Sequence, residues 1–219
     1  MGSTEGITGP LADYECTAIA KAPAVTQLNP PHRLLCGPGP GNAHPRVHAA
    51  MSLPEIGHLD PAFISMMEDI KSLLRYAWQT NNEFTIPVSG TGSAAMEACM
   101  ANLVEAGDKV LIFSNGYFGP RLADMASRYG GEVIEEKAPW GTVFSFDAIK
   151  ASVEKHKPVL ACLVHAETST GAAQPLEGVG KLCHDNGALL VADTVTSIFG
   201  VPCHLDKWGS GRRVRWYPK

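Results

Sequence analysis

The sequence lacks a long apolar run, an excess of positive charge and a recognisable secretory leader. No apolar run approaches the ~18–20 residues that a membrane span requires, and residues 1–29 contain no continuous apolar segment of the secretory kind. The net charge is −4, which excludes a broad basic surface for nucleic acid or anionic lipid. We therefore expect no nucleic-acid partner, no membrane partner and no secretion.

Closely spaced cysteines are also lacking. The six cysteines include no C-x-x-C pair, which indicates a reducing compartment and argues against a disulfide or zinc framework. Most of them are expected to be small buried side chains. His44 and His48 are four residues apart, but Pro45 between them disfavours a helical pair of metal ligands. No metal site is predicted.

What is present is the composition of one globular domain or slightly more, since 219 residues carry 45% hydrophobic and 18% charged side chains. Residues 1–45 are predicted to be irregular because they are rich in proline and glycine, as in Cys36–Asn42. A helix is then predicted from Asp60 to Thr80, with Asp60 as N-cap, Pro61 at the first helical position and an apolar stripe along one face.

Helices and apolar strands alternate beyond that helix. Helices are predicted over 93–103, 121–129, 146–155 and 176–185, and strands over 109–113, 131–135, 158–164 and 188–192. Continuously apolar strands separated by helices indicate a mostly parallel sheet covered on both faces, a three-layer αβα architecture of the α/β class. In such sheets, ligands bind beyond the carboxyl ends of the strands.

Four polar segments are predicted to lie at those strand ends. They are Ser89–Ser93, which opens a helix and could hold a phosphate, Asn115–Gly119 with an aromatic between glycines, the polar cluster His165–Gly171, and Asp193. Each segment also has an ordinary structural explanation. In the same order, these are a tight loop, an aromatic packed in a turn, capping and turn formation by Ser and Thr, and an N-capping or paired Asp. Their order along the chain matches the parts of a pyridoxal 5′-phosphate (PLP) site, which needs a phosphate cradle, a ring platform and an Asp at the pyridine nitrogen.

Further motifs accompany these segments: Leu35–Pro40, Gln79-Thr80, Val88–Ser93 with Glu97-Ala98, Asn115-Gly116, Gln174–Leu176 and Val191–Val195. Together with them, the stretch from Pro30 to Gly209 resembles the fold type I PLP enzymes of aminotransferase class V. The resemblance is strongest to alanine–glyoxylate and serine–glyoxylate aminotransferases. It implies a fold type I PLP-dependent transferase large domain that transfers an amino group from alanine or serine to glyoxylate, giving glycine.

The resemblance also implies the cofactor-binding residues. Thr91, Gly92 and Ser93 would hold the phosphate, Phe118 would stack on the ring where relatives often carry Trp, Thr168 would bond near the ring oxygen, and Asp193 would bind the pyridine nitrogen. The implied partners are an amino acid, a 2-oxo acid and a second copy of the chain, because family members are usually homodimers with active sites at the subunit interface.

Four regions follow from the resemblance. Residues 1–30 are an irregular N-terminal extension, 31–45 a substrate-side segment near the active-site entrance, and 46–209 a partial PLP-binding large domain. Residues 210–219 are an aberrant tail. The family's Schiff-base lysine motif, Ser-Gly-(Ser/Thr)-Gln-Lys, does not occur in the sequence, so no catalytic residue is assigned and the chain is expected to be inactive alone.

A frameshift near Gly209 is one explanation of the tail. Residues 210–219 can be encoded so that the frame one base later gives Leu-Asp-Val-Val-Tyr-Ala-Gly-Thr-Gln-Lys, which is similar to the family's sequence. The coding DNA tests this. Lys219 falls at the place of the shifted-frame lysine, but its neighbours Tyr217 and Pro218 differ from the motif, and we do not expect it to reach the cofactor.

The sequence also bears on other functions. A catalytically inactive PLP-binding fragment or a heterodimerising pseudo-enzyme stays open. A nucleotide-binding oxidoreductase is disfavoured because G-x-G-x-x-G is incomplete, a cysteine desulfurase because of the Gly37–Gly41 segment, and a nucleic-acid patch in the Arg-rich tail by its shortness. The expected compartment is the peroxisome in a eukaryote, with the mitochondrion second, and the cytoplasm in a bacterium.

Overall fold

The computed structural model describes residue 24 and residues 26–209, and the chain divides into two units, Met1–Asn42 and Ala43–Lys219. In the first unit the described residues form neither helix nor strand, in agreement with the predicted irregular segment. There Asn42 closes a loop, because its side chain accepts a hydrogen bond from Leu35 N at 2.8 Å and donates one to Arg33 O at 2.9 Å. The predictions for residues 1–23 and for the tail lie outside the described residues.

The second unit begins with helices α1 (Pro45–Met51) and α2 (Pro61–Trp78). Helix α1 was not predicted. Pro45 occupies the first helical position, which needs no N–H, and the ring of His44 caps the helix by accepting from Arg46 N at 3.2 Å. Helix α2 confirms the prediction, with Asp60 accepting from Ala62 N at 2.8 Å as its N-cap.

The remaining helices and strands alternate as predicted. They are α3 (Gly92–Leu103), β1 (Lys109–Ser114), α4 (Phe118–Arg128), β2 (Glu132–Lys137), α5 (Phe146–His156), β3 (Leu160–Val164), α6 (Val179–Asp185), β4 (Leu189–Asp193) and α7 (Leu205–Trp208). The strands form a parallel sheet in the order β2-β1-β3-β4, in which Val110 pairs with Val133 and Leu160, and Leu160 pairs with Leu189.

Helices cover both faces of this sheet, which confirms the three-layer αβα architecture. Successive residues of β1 point to opposite faces. Val110 and Ile112 pack with residues of α3 and α4, whereas Leu111 and Phe113 pack with residues of α5, α6 and α7. Each fully buried aliphatic side chain stabilises the fold by about 1.5–3 kcal/mol, so the two apolar layers hold the carboxyl ends of the strands in fixed positions.

Element boundaries differ from the predicted ones by a few residues. Helix α4 begins at Phe118 rather than at residue 121. Helix α6 begins at Val179 rather than at residue 176 because Gly178 adopts a left-handed φ of 78°, through which an α-helix cannot continue. The single-turn helix α7 was not predicted, since four residues are too few to show a period.

The described residues, 24 and 26–209, also bear on membrane and metal binding. None of the helices there combines the length and apolar character that crossing a bilayer demands. No group of three or more His, Cys, Asp or Glu side chains among those residues is arranged to hold a metal ion. All five described cysteines are free, and Cys162, Cys183 and Cys203 are buried.

Candidate active site

Three of the four predicted polar segments follow neighbouring strands. Asn115 follows β1, His165 follows β3, and Asp193 is the last residue of β4. Because these strands are parallel and adjacent, the three segments lie at the same edge of the sheet. The fourth prediction was wrong in one respect: Ser89–Ser93 follows irregular chain rather than a strand. It still reaches this edge, through the start of α3.

The start of α3 has the form of an anion site. Gly90 has a φ of 149°, and a Cβ there would lie 2.8 Å from the Cβ of Ala94, so only glycine fits the approach to the helix. Thr91 is the N-cap, and its hydroxyl makes no capping hydrogen bond. The first helical bond runs from Ala94 N to Thr91 O at 2.9 Å, so the N–H groups of Gly92 and Ser93 precede the hydrogen-bonded turns. They are positioned to bind a phosphate.

Gly92 brings this anion site against the end of β4. A Cβ at Gly92 would lie 2.8 Å from Cγ2 and 3.3 Å from Cγ1 of Val195, two residues beyond Asp193. No side chain fits there without displacing Val195. The predicted phosphate site and the predicted pyridine-nitrogen ligand therefore lie on adjoining segments.

Asp193 carries the acidic group of the site. Its Oδ1 accepts a hydrogen bond from Val195 N at 3.0 Å, and its carbonyl oxygen accepts one from His165 N at 2.8 Å. Burial raises the pKa of the Asp193 carboxyl above its ordinary value, and the charge of Glu167 raises that pKa further. A cation facing the carboxylate would counter both effects. A protonated pyridine nitrogen is such a cation, so Asp193 fits the cofactor ring.

Phe118, at the start of α4, lies beside the anion site. Its ring contacts that of Tyr117 edge to face at 5.3 Å between centroids. The guanidinium of Arg121, one turn along α4, lies 5.3 Å from the Phe118 ring centroid and 5.2 Å from that of Tyr117. Arg121 Nη1 also donates to Ser93 Oγ at 2.7 Å. Arg121 thus connects Phe118, the predicted ring platform, to Ser93 of the predicted phosphate segment.

Thr168 completes the set of predicted residues. Its hydroxyl shares a hydrogen bond with the hydroxyl of Thr196, on the segment that follows Asp193. The structure therefore brings all six predicted residues to one edge of the sheet, through contacts that join α3, α4, β3 and β4. Their individual roles toward the cofactor stay predictions.

Two residues of this cluster were not assigned a role from the sequence. Arg121 lies one helical turn after Phe118, a spacing that places both on one helix face, and this spacing is the signal that could have identified it. Glu167 was noted only as part of the polar cluster, although its carboxylate is fully buried and binds backbone N–H groups of two loops. No sequence spacing reveals that contact, because the loops are about 50 residues apart.

Comparisons with known proteins agree with this geometry. The profile of the family Aminotransferase class-V matches residues 45–210. The chain belongs to this family. Class V aminotransferases are PLP-dependent enzymes, and the solved structures that resemble the chain share their fold.

Two relatives illustrate the likeness to class V proteins. Alanine–glyoxylate aminotransferase of Mus musculus is 45% identical over 182 residues, which are 83% of this chain and 44% of that protein. The (S)-ureidoglycine–glyoxylate transaminase of Bacillus subtilis is 40% identical over 182 residues, with the same two coverages. The chain spans about half the length of the curated relatives it matches.

A solved class V structure is similar in three dimensions. Alanine–glyoxylate aminotransferase from Nostoc sp. superposes with a TM-score of 0.84 at 59% identity, covering 85% of this chain and 50% of the other. The large-domain fold of the family, which was predicted from the resemblance, is thus confirmed.

Proposed function

We propose that this chain is the cofactor-binding part of a PLP-dependent aminotransferase that uses glyoxylate as amino acceptor and releases glycine. The observation that carries the proposal is the contact of Gly92 with Val195, which joins the anion site of α3 to the end of β4 at Asp193. A bound PLP supplies an electron sink for chemistry at the α-carbon of an amino acid.

The residues of the chain would hold and orient that cofactor. The N–H groups of Gly92 and Ser93 and the Thr91 hydroxyl would bind the phosphate, with the helix dipole of α3 adding attraction. Phe118 would lie against the ring face, and Asp193 would keep the ring nitrogen protonated, because its buried carboxylate gains a cationic partner there. The Thr168 hydroxyl would contribute a hydrogen bond near the ring oxygen.

Glyoxylate as acceptor is supported by the names of the relatives. The Mus musculus and Nostoc proteins are alanine–glyoxylate aminotransferases, and the Bacillus subtilis protein is a ureidoglycine–glyoxylate transaminase. These names share the acceptor and differ in the donor. We therefore propose glyoxylate as the 2-oxo acid, with alanine or serine as the amino donor.

A second candidate function rests on the lysine motif. Because the 219 residues contain no Ser-Gly-(Ser/Thr)-Gln-Lys sequence, we propose that this polypeptide binds the cofactor without transferring amino groups by itself. Such a chain would be a PLP-binding fragment or the inactive partner in a heterodimer. The transaminase activity would then belong to a protein that contains both this part and the lysine.

One experiment tests both statements. The purified chain is titrated with pyridoxamine 5′-phosphate, which does not react with surface lysines as PLP does, and circular dichroism of the bound ring is followed. We expect saturable binding that inorganic phosphate weakens by competition. Loss of binding in Asp193→Ala, with binding retained in Asp185→Ala, would place the binding site at Asp193. Absence of binding by the unsubstituted chain would contradict the proposal.

The same preparation is then supplied with PLP, alanine and glyoxylate. We expect neither pyruvate formation nor borohydride-stable attachment of the cofactor to one lysine. Turnover together with such attachment would overturn the second candidate function and leave the first one standing.

We also propose that the chain forms a homodimer. Helix α2 contains no buried residue, and the apolar side chains Met66, Leu73 and Tyr76, which share one side of the helix, are all at least half exposed. A face of this kind, on a helix whose sequence has a clear apolar stripe, is typical of a protein interface. A second copy of the chain is the partner that we propose for it.

A further inference from the structure

Glu167 is the most deeply buried acidic side chain near the candidate site, with 0% exposure. It lies on the loop after β3, and its carboxylate accepts three hydrogen bonds. Oε2 accepts from Phe118 N at 3.1 Å, and Oε1 accepts from Ser169 N at 3.1 Å and from Ser169 Oγ at 2.7 Å. Ser169 Oγ in turn accepts from Tyr117 N at 3.0 Å.

These bonds join the loop after β3 to the first residues of α4. Tyr117 and Phe118 are held through their backbone N–H groups, which precede the helical hydrogen bonds of α4 and need an outside acceptor. The negative carboxylate at this place also gains from the positive end of the α4 dipole. The position of the Phe118 ring therefore depends on Glu167.

Packing makes the same connection. A Cβ at Gly116 would lie 2.2 Å from Cγ and 2.5 Å from Cδ of Glu167. The loop after β1 thus rests directly on the Glu167 side chain, and only glycine permits this approach. The charge of Glu167 also raises the pKa of the Asp193 carboxyl.

We propose that Glu167 is a positioning residue that sets the Phe118 ring against the cofactor by fixing the backbone of Tyr117 and Phe118. The inference rests on the proposed function, in which Phe118 is the ring platform. It assigns Glu167 no contact with the cofactor. Apart from the charge that Glu167 exerts on Asp193, its effect on binding passes through Phe118.

The chemistry of a glutamine at this position shows why the carboxylate is needed. Both carboxylate oxygens face backbone N–H donors, Phe118 N on one side and Ser169 N on the other. An amide has one oxygen and one NH2 group, so Glu167→Gln must place a donor against one of the two N–H groups. One buried donor then loses its partner, and the loop relaxes on the side where this occurs.

A double-mutant cycle tests the proposal on the full chain with pyridoxamine 5′-phosphate as the probe. Glu167→Gln is expected to weaken binding about tenfold and to reduce the circular dichroism of the bound ring. In the Phe118→Ala background the same substitution should change the dissociation constant by less than about twofold. Glu132→Gln, an exposed site at the amino end of β2, makes the same charge change and should leave binding unaltered.

Equal losses of affinity in the two backgrounds would overturn the proposal, since a structural role that does not act through Phe118 is additive with it. Unchanged binding and an unchanged spectrum in Glu167→Gln would overturn it as well. If the unsubstituted chain fails to bind the probe, the proposed function itself is wrong, and this inference falls with it.

Ser169→Ala is the second variant, in case Glu167→Gln does not fold. Ser169 is exposed, and its hydroxyl bridges Glu167 Oε1 to Tyr117 N. Its loss is expected to weaken binding about threefold, again only when Phe118 is present. A threefold loss that persists in Phe118→Ala contradicts the proposal.

Discussion

We predict that Asp193 lowers the stability of the chain without cofactor and raises its affinity for the cofactor. Burial raises the pKa of its carboxyl in the folded chain, so the folded state binds a proton more readily than the unfolded state between the ordinary and the raised pKa. Stability therefore falls as pH rises through that interval and stays lower above it.

Asp193→Asn removes this effect, and we expect the variant without cofactor to unfold at a higher temperature than the unsubstituted chain at neutral pH. The difference should shrink as pH is lowered through the interval. With pyridoxamine 5′-phosphate bound, we expect Asp193→Asn to unfold at a lower temperature than the unsubstituted chain. The reason is that the amide does not pair with a cationic ring nitrogen, so binding should weaken about tenfold or more. Thermal unfolding with and without the ligand measures both.

Asp185→Asn is the control, since Asp185 is an exposed carboxylate paired with Lys181 Nζ at 2.5 Å. It should change neither quantity appreciably. If Asp193→Asn without ligand is less stable than the unsubstituted chain at neutral pH, then burial of the ionised Asp193 carboxylate does not destabilise the fold, and the prediction is wrong.

Gly92→Ala tests the closeness of α3 to the end of β4. The new Cβ would lie 2.8 Å from Val195 Cγ2, so the phosphate segment must move away or Val195 must shift. We expect the affinity for pyridoxamine 5′-phosphate to fall about tenfold, within the ~1–3 kcal/mol typical of overpacking.

Val195→Ala provides a matched relief of this clash. Without the two Cγ atoms, the nearest Val195 atom is the Cβ at 3.7 Å, an ordinary contact distance. The double variant should therefore recover most of the lost affinity. A full loss in both backgrounds would mean that the glycine is required for a reason other than its contact with Val195.

At the scale of elements, periodicity in the sequence was sufficient to predict the sheet and its main helices. Apolar runs such as 109–113 become buried strands, and Asp60 with Pro61 marks the start of α2. Periodicity does not predict which loops, far apart in the sequence, lie close together in the fold. The bond from Phe118 N to Glu167 joins residues 49 apart, and the place of Ser89–Ser93 depends on how α3 packs rather than on a preceding strand.

Helix α2 also shows that an apolar stripe predicts a helix better than it predicts where that helix packs. The predicted helix is present, but none of its residues is buried. At the carboxyl end of α2, Trp78 Nε1 donates a hydrogen bond to Thr194 Oγ1, just after β4, at 2.9 Å. Amphipathicity predicts that a face will be covered, and it does not identify the covering surface.

Hydrogen exchange should reflect this weak attachment. In the monomeric chain we expect the amides of α2 to exchange faster than those of α4 and α5, because both of the latter helices bury apolar residues against the sheet. Exchange followed by mass spectrometry on dilute protein measures the difference. Equal protection of all three helices would contradict the expectation.

At the scale of the whole molecule, the proposed homodimer would link stability to association through α2. If two copies cover its apolar face, the unfolding midpoint must rise with chain concentration, since the folded dimer is favoured by mass action. Leu73 is 66% exposed on α2, so Leu73→Ser removes contact area mainly in the assembled form. We expect it to lower the dimer fraction in sedimentation experiments and to flatten the concentration dependence of the midpoint.

Val143→Ser separates this effect from a general loss of exposed apolar surface. Val143 is 44% exposed and lies outside α2, in the segment between β2 and α5. It should leave the dimer fraction and the concentration dependence as they are in the unsubstituted chain. For the unsubstituted chain, an unfolding midpoint that does not depend on concentration, together with a monomeric mass, would contradict the proposed homodimer. Cofactor binding measured on that monomer would then show that the edge of the sheet holding Asp193 and Gly92 is sufficient by itself.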